Sequence, residues 1–165
     1  MTLQHKIGFI LDEVKEGIIV HQVNAQGVMG SGIAKDIKEK YPRVFDDYAK
    51  ELGPAYSQRN SGIDFMGRII WTRYPHRDIG VDQTGVLWIA SLVGQQFFGR
   101  EKKRYTSYDA LDVGFAQIGY IAKYYEMSVH VPYIGCGLGG GDWSIVSAII
   151  EKNLDKIDFT LWEKT

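Results

Sequence analysis

Two short segments hold eight of the chain's nineteen glycines: Gly27, Gly30 and Gly32, then Gly135, Gly137, Gly139, Gly140 and Gly141. Glycine lets the main chain approach a ligand closely. Successive free N–H groups ahead of a helix make a concave anion site, helped by the helix dipole. Two such loops facing each other could hold a diphosphate between them; taken singly, each also reads as a tight turn. Neither segment ends in the Gly-Lys-Ser/Thr of a P-loop. The spacing of Gly27, Gly30 and Gly32 also fails the dinucleotide fingerprint, and no βαβ repeat with an acidic ribose ligand is evident. Spacing alone points to a phosphate-bearing ligand and stops there.

Three side chains beside these segments could add chemistry. His21 comes just before the first; its ordinary pKa near 6.5 suits water activation or protonation of a leaving oxygen. It reads equally well as a histidine hydrogen-bonded within a strand. Asp142 closes the second segment, as a carboxylate that could orient or activate water, or as a helix N-cap. Cys136 lies inside the second segment, but a cysteine phosphatase needs an arginine six residues on, and position 142 is Asp. It reads as a small residue lining the loop. As the chain's one cysteine it excludes an internal disulfide and a multi-cysteine zinc site. His5, His76 and His130 are scattered singly, so no metal cluster is indicated and no cofactor is required. Trp143 reads as core or as support for the loop rather than a stacking platform.

The elements that must position these residues follow from hydrophobic periodicity. Lys6–Leu11 and Gly17–Val23 are short runs rich in Ile and Val, predicted as buried strands with a turn beginning at Asp12 and Glu13. Ile33, Ala34, Ile37 and Tyr41 recur at helical spacing over Ser31–Tyr41, and Pro42 ends that helix. Arg43–Leu52 reads as a second short helix and Tyr56–Phe65 as loop. Arg68–Tyr74 and Val86–Leu92 are strands separated by the polar stretch Pro75–Thr84. Thr106–Tyr125 is the longest helix, Val129–Ile134 a strand, Trp143–Leu154 a helix and Phe159–Trp162 a last strand. This mixture predicts an α/β fold, a three-layer α/β/α sandwich with a mixed central sheet. Both glycine segments follow strands and lead into helices, which places them at one end of the sheet, where ligands of such folds bind.

Composition sets the outer limits. At 165 residues the chain suits a single domain spanning 1–165, and 45% hydrophobic with 24% charged residues suits a packed core. The net charge of −1 gives no broad field for nucleic acid or an anionic membrane. Any phosphate recognition must be local. No apolar run approaches the roughly 20 residues that span a bilayer, and the N-terminal stretch does not read as a signal peptide. The expectation is a soluble, cytoplasmic protein.

The string HQVNAQGVMGSGIAKDIKEKYP, residues 21 to 42, resembles the first binding loop of macrodomains. It is most similar to the branch of ADP-ribose-1″-phosphate phosphatases and ADP-ribosyl-glutamate hydrolases. VPYIGCGLGGGDW, residues 131 to 143, is similar to the second, phosphate-embracing loop of that branch. The resemblance implies that Gly8, Phe9 and Ile10 lie beside the adenine. Gln22, Val23 and Asn24 would lie in the cleft, with Asn24 on the distal ribose. Met29, Gly30, Ser31, Gly32, Ile33 and Ala34 would wrap that ribose and the adjacent phosphate. Ile134, Gly135, Cys136, Gly137, Leu138, Gly139 and Gly140 would close over the diphosphate. The pattern departs at Phe9, where many macrodomains carry an Asp that reads the adenine amino group.

The activity so implied is hydrolysis of ADP-ribose-1″-phosphate to ADP-ribose and phosphate, with His21 and Asp142 as the catalytic candidates. The glutamate hydrolases of the branch can use a lysine that attacks the distal ribose. Here Ser91-Leu92-Val93-Gly94-Gln95-Gln96 contains none, and Lys102 and Lys103 read as part of a solvated charged turn. Removal of ADP-ribose from a modified protein or nucleic acid, and a binding module without turnover, are the alternatives. The partner in each case is the small molecule, with neither a membrane nor general nucleic-acid binding expected.

Overall fold

The computed structural model describes residues 2–53, 59–74, 85–99, 101–135 and 139–164. The polar stretch Pro75–Thr84 and the loop residues Cys136, Gly137 and Leu138 lie outside them. Six strands, β1 (Thr2–Ile7), β2 (Gly17–Asn24), β3 (Ile69–Tyr74), β4 (Leu87–Gln95), β5 (Val129–Pro132) and β6 (Asp158–Glu163), form one sheet in the order β1-β6-β5-β2-β4-β3. Only the β3–β4 pairing is antiparallel; β1, β6, β5, β2 and β4 all run the same way. Five helices accompany them: α1 (Ile10–Glu13), α2 (Gly32–Lys40), α3 (Pro42–Leu52), α4 (Tyr108–Tyr125) and α5 (Trp143–Asn153), with a 3₁₀ turn at Arg59–Phe65.

Alternation along the central strand divides the interior in two. On β2, Ile18 and Val20 join Leu111, Phe115, Ile118, Val146 and Ile150 of α4 and α5. Ile19 and Val23 join Ile10, Leu11, Ile37, Val44 and Tyr48 of α1, α2 and α3. Successive side chains of a strand point to opposite faces, so helices cover both faces of the sheet. This is the expected three-layer α/β/α sandwich. Among the described residues no helix is long and apolar enough to cross a membrane.

The first strand differs from the expectation. The run Lys6–Leu11 straddles the end of β1, and Ile10 and Leu11 bury themselves on the single turn of α1 instead. As an edge strand that pairs, among the described residues, with β6 alone, β1 carries exposed Gln4, His5 and Lys6, and so lacks the apolar run that marks a buried strand. Pro42 acts as a start as well as a stop. It is the first residue of α3, where its missing N–H costs nothing, and Tyr41 is at once the C-cap of α2 and the N-cap of α3.

Candidate functional site: a cleft along five strand ends

The carboxyl ends of β1, β6, β5, β2 and β4 open into one cleft of about 610 Å³, lined by residues from or just beyond each: Gly8, Trp162, Pro132, Asn24 and Gln95. Neighbouring strands lie near 4.8 Å apart, so five strand ends span about 19 Å. That is room for two rings on either side of a diphosphate.

The first wall is the loop from β2 to α2, and side chains hold it. Asn24 Oδ1 accepts from the N–H of Gln26 at 2.9 Å, while its Nδ2 donates to the Val28 carbonyl at 2.8 Å. Tyr48, reaching over from α3, sets its hydroxyl 2.6 Å from the Asn24 carbonyl and 2.9 Å from Asn24 Oδ1. The same hydroxyl accepts from the Gly27 N–H at 3.0 Å. Burial pushes the Tyr48 phenol up, so it stays a neutral donor. Asn24 lines the cleft with one Nδ2 hydrogen left over for a ligand.

Beyond this loop, α2 begins at the cleft centre. Its N-cap Ser31 makes no side-chain cap bond, and Ser31, Gly32, Ile33 and Ala34 all line the cleft. The first N–H groups of a helix have no partner within it, and no acidic residue stands in this first turn to occupy them. Gly32 has φ +58°, with nothing within 4 Å of where a Cβ would stand. The space beside it belongs to the cleft. Together these features could receive an anion.

The opposite wall is the loop from β5 to α5, held by main chain and by one threonine hydroxyl. Gly141 N–H donates to the Gly135 carbonyl at 2.6 Å, and Tyr105 and Thr106 N–H donate to the Gly139 carbonyl at 2.7 and 3.0 Å. The Thr106 hydroxyl donates to the Gly135 carbonyl at 2.8 Å. Gln22 ties this wall to the first, its Nε2 donating to Thr106 Oγ1 at 3.0 Å and to Gln95 Oε1 at 2.6 Å. At Gly140, φ is +71° and a Cβ would collide with the Lys103 carbonyl oxygen. Only glycine fits there.

The two ends of the cleft differ in character. At the β1–β6 edge, Phe9, Ile10, Ile33 and Trp162 make it aromatic and apolar. The Trp162 indole N–H donates to His130 Nδ1 at 3.0 Å. Burial, with Lys6 nearby, lowers the His130 pKa to about 4 and so keeps that acceptor free. At the β4 end the wall is made of Gln22, Asn24, Gln95, Phe98 and Gly99.

Of the binding residues expected from sequence, Gly8, Phe9, Ile10, Gln22, Val23, Asn24, Gly30, Ser31, Gly32, Ile33, Ala34, Ile134, Gly135 and Gly139 line this cleft. Met29 is buried beneath the first loop among the α1–α3 core, and Gly140 sits behind the wall against Lys103. The catalytic candidates stand apart from the lining. His21 is fully buried on the face of β2 shared with Ile19 and Val23, its Nε2 2.6 Å from Ser91 Oγ, and burial lowers its pKa to about 3. It is a neutral core histidine. Asp142 is exposed and caps α5. Its Oδ1 accepts from the Ser144 N–H at 2.8 Å and from the Ser144 hydroxyl at 2.7 Å, bonds that hold its pKa below the usual carboxylate range. The cap reading describes it. Trp143 packs on Tyr133, ring centres 4.3 Å apart, as loop support.

Sequence reasoning missed Asp36, Gln95, Phe98, Tyr133, Trp162 and Lys164 on the lining, and Tyr48 behind it. A signal existed for Trp162 and Lys164, since residues at and just past the end of a parallel strand belong to the cleft. Among the described residues no group of His, Cys, Asp or Glu could hold a metal.

No family model matches the sequence. A curated relative, a "DNA ADP-ribosyl transferase-DNA ADP-ribosyl glycohydrolase fusion protein" of Thermosipho africanus, is 28% identical over 148 residues. The match takes in 82% of this chain, which spans only 35% of that protein's length. Among solved structures, the macrodomain of Mycobacterium tuberculosis DarG superposes with a TM-score of 0.70 at 23% identity, covering 98% of this chain and 97% of its own. Thermosipho africanus DarTG, solved in complex with ADP-ribose, superposes with a TM-score of 0.64 at 22% identity over 90% of this chain and 38% of its own. With the six-stranded mixed sheet, its two helical layers and the cleft along its parallel strand ends, these likenesses give the chain the macrodomain fold.

Proposed function

We propose that the cleft binds ADP-ribose and that the protein hydrolyses the bond joining C1″ of the distal ribose to a leaving group. The observation that carries this reading is the centre of the cleft. There the free N–H groups of Gly32–Ala34 face the loop at Gly135 and Gly139, with an aromatic end on one side and an amide end on the other. A diphosphate meets the helix N-terminus, a base meets Phe9 and Trp162, and a ribose meets Asn24, Gln22 and Gln95. The ligand of the Thermosipho africanus structure and the glycohydrolase in the curated relative's name support the same ligand and the same class of bond.

Water adds across the bond, giving ADP-ribose and the protonated leaving group. Fixed amides contribute by holding the ribose and the attacking water, and by meeting charge as it develops. Removal of ADP-ribose from a modified macromolecule is the better-supported form. Hydrolysis of ADP-ribose-1″-phosphate, expected from His21, loses that support because His21 is buried away from the cleft and is held neutral.

Calorimetry with ADP-ribose tests the binding half; no heat at millimolar ligand would overturn it. Parallel incubation with ADP-ribosylated DNA, ADP-ribosylated glutamyl protein and ADP-ribose-1″-phosphate tests the rest. Free ADP-ribose is expected from one of the modified macromolecules. Release of phosphate at the higher rate would restore the phosphatase reading, and binding without any release would leave a binding module.

A further inference from the structure

Among the described residues lining the cleft there is one acid, Asp36, and one base, Lys164. An acid is a poor neighbour for a diphosphate unless it has a donor to meet. Asp36 stands on α2 one turn past Gly32, about 6 Å along the helix axis from the anion site and on the same face. Its Oδ2 lies 3.9 Å from Lys164 Nζ, and that ammonium lies 4.8 Å from the centre of the Phe9 ring. Acid, base and aromatic ring thus share the β1–β6 end. The ion pair does not by itself account for the acid. At 3.9 Å, with side chains 35% and 67% exposed, it is a surface pair of small worth.

We propose that Asp36 is the base-reading residue of this cleft: its carboxylate accepts a hydrogen bond from the exocyclic amino group of the adenine, with Lys164 aiming it. The inference rests on the ADP-ribose reading above. A carboxylate has only acceptors, so it favours a 6-amino purine and opposes a 6-oxo purine, whose oxygen it would face. Phe9 and Trp162 offer the base apolar and aromatic surface with no side-chain acceptor, which supplies affinity without discrimination. Asp36 supplies the discrimination from the helix opposite.

The test is calorimetry of wild type, Asp36→Ala and Asp36→Asn with ADP-ribose and with its hypoxanthine counterpart, inosine diphosphate ribose. Wild type is expected to bind ADP-ribose about tenfold more tightly than the hypoxanthine ligand. Asp36→Ala should lose that preference by weakening ADP-ribose alone, with the hypoxanthine ligand unchanged or tighter. Asp36→Asn, whose amide can turn its oxygen to a 6-amino group or its N–H to a 6-oxo group, should also lose the preference while keeping the side chain's size, and stands in if the alanine variant melts early. An equal loss for both ligands, which a merely structural role would give, overturns the proposal, as does an unchanged preference. Equal binding of both ligands by wild type overturns it too and leaves the cleft reading standing; binding of neither overturns the cleft reading itself.

Discussion

Between β2 and α2 the chain is held by a tyrosine from another helix and by one asparagine side chain; Gly32 borders empty space, and Gly27 and Gly30 meet nothing closer than 3.7 Å. Between β5 and α5 the chain is held by carbonyls and N–H groups of its own backbone and of the segment before α4, with the Thr106 hydroxyl, and the space beside Gly135, Gly139, Gly140 and Gly141 is filled. The same residue therefore serves two purposes. In the first wall a missing side chain leaves the cleft open; in the second it lets two stretches of main chain touch. A sequence that reads as two glycine-rich loops conceals this difference. It appears only once the neighbours of each missing Cβ are known.

Substitution should separate the two walls. Gly140→Ala must move the Lys103 backbone and also force a left-handed residue, so urea denaturation should record a loss of roughly 3 kcal/mol or more. A variant as stable as wild type would mean that the second wall is not close-packed. Tyr48→Phe removes the hydroxyl that the Gly27 N–H donates to and the donor to Asn24, and should cost about 2 kcal/mol. ADP-ribose affinity should fall with it, since the loop loses its tie to α3. Gly32→Ala meets no neighbour, so only its left-handed backbone should register, at roughly 1–2 kcal/mol. Its affinity should fall more steeply than its stability, because the methyl stands in the anion site. If binding were untouched, the space beside Gly32 would not be ligand space.

Acid offers the mildest probe, acting beneath the first wall. His21 is neutral when folded, its pKa lowered to about 3, and takes up a proton near its ordinary value of 6.5 when unfolded. The unfolded chain thus binds more protons from pH 6.5 down to about 3, and stability falls as pH drops through that window. At pH 5.5 this histidine alone should account for about 1 kcal/mol. Comparing melts at pH 7.5 and 5.5 for wild type and His21→Asn should show a shallower fall in the variant; equal slopes would mean that His21 titrates normally in the fold.

The layers and most elements were legible because apolar periodicity is a local property. β2, α2, α3, α4 and α5 lie within a residue or two of where Ile, Val and Leu spacing put them. β1 escaped because an edge strand need not be apolar, and its polar residues look like any other surface segment. In the cleft, the two loops announced themselves by glycine and by family likeness. Tyr48, Asp36 and Lys164 did not, since each reaches its partner across the fold: Tyr48 from α3 to the β2 loop, Lys164 from past β6 to α2. His21 shows the opposite failure. Its type and its place next to a binding loop suggest catalysis, yet strand alternation turns its ring to the core side while Gln22 beside it reaches the cleft.

The edge of the sheet joins β1 to β6, with Thr2 paired to Asp158 and Ile7 to Glu163. As the chain is synthesised, β1 emerges before β6, the strand it pairs with, and waits for roughly 150 further residues, on the order of 10 s at ordinary translation rates. Exposed Gln4, His5 and Lys6 keep that waiting edge from recruiting a neighbouring chain. The strands and loops of both cleft walls leave the ribosome before Trp162 and Lys164, so the nascent chain can shape the start of α2 before the β1–β6 end of the cleft is complete.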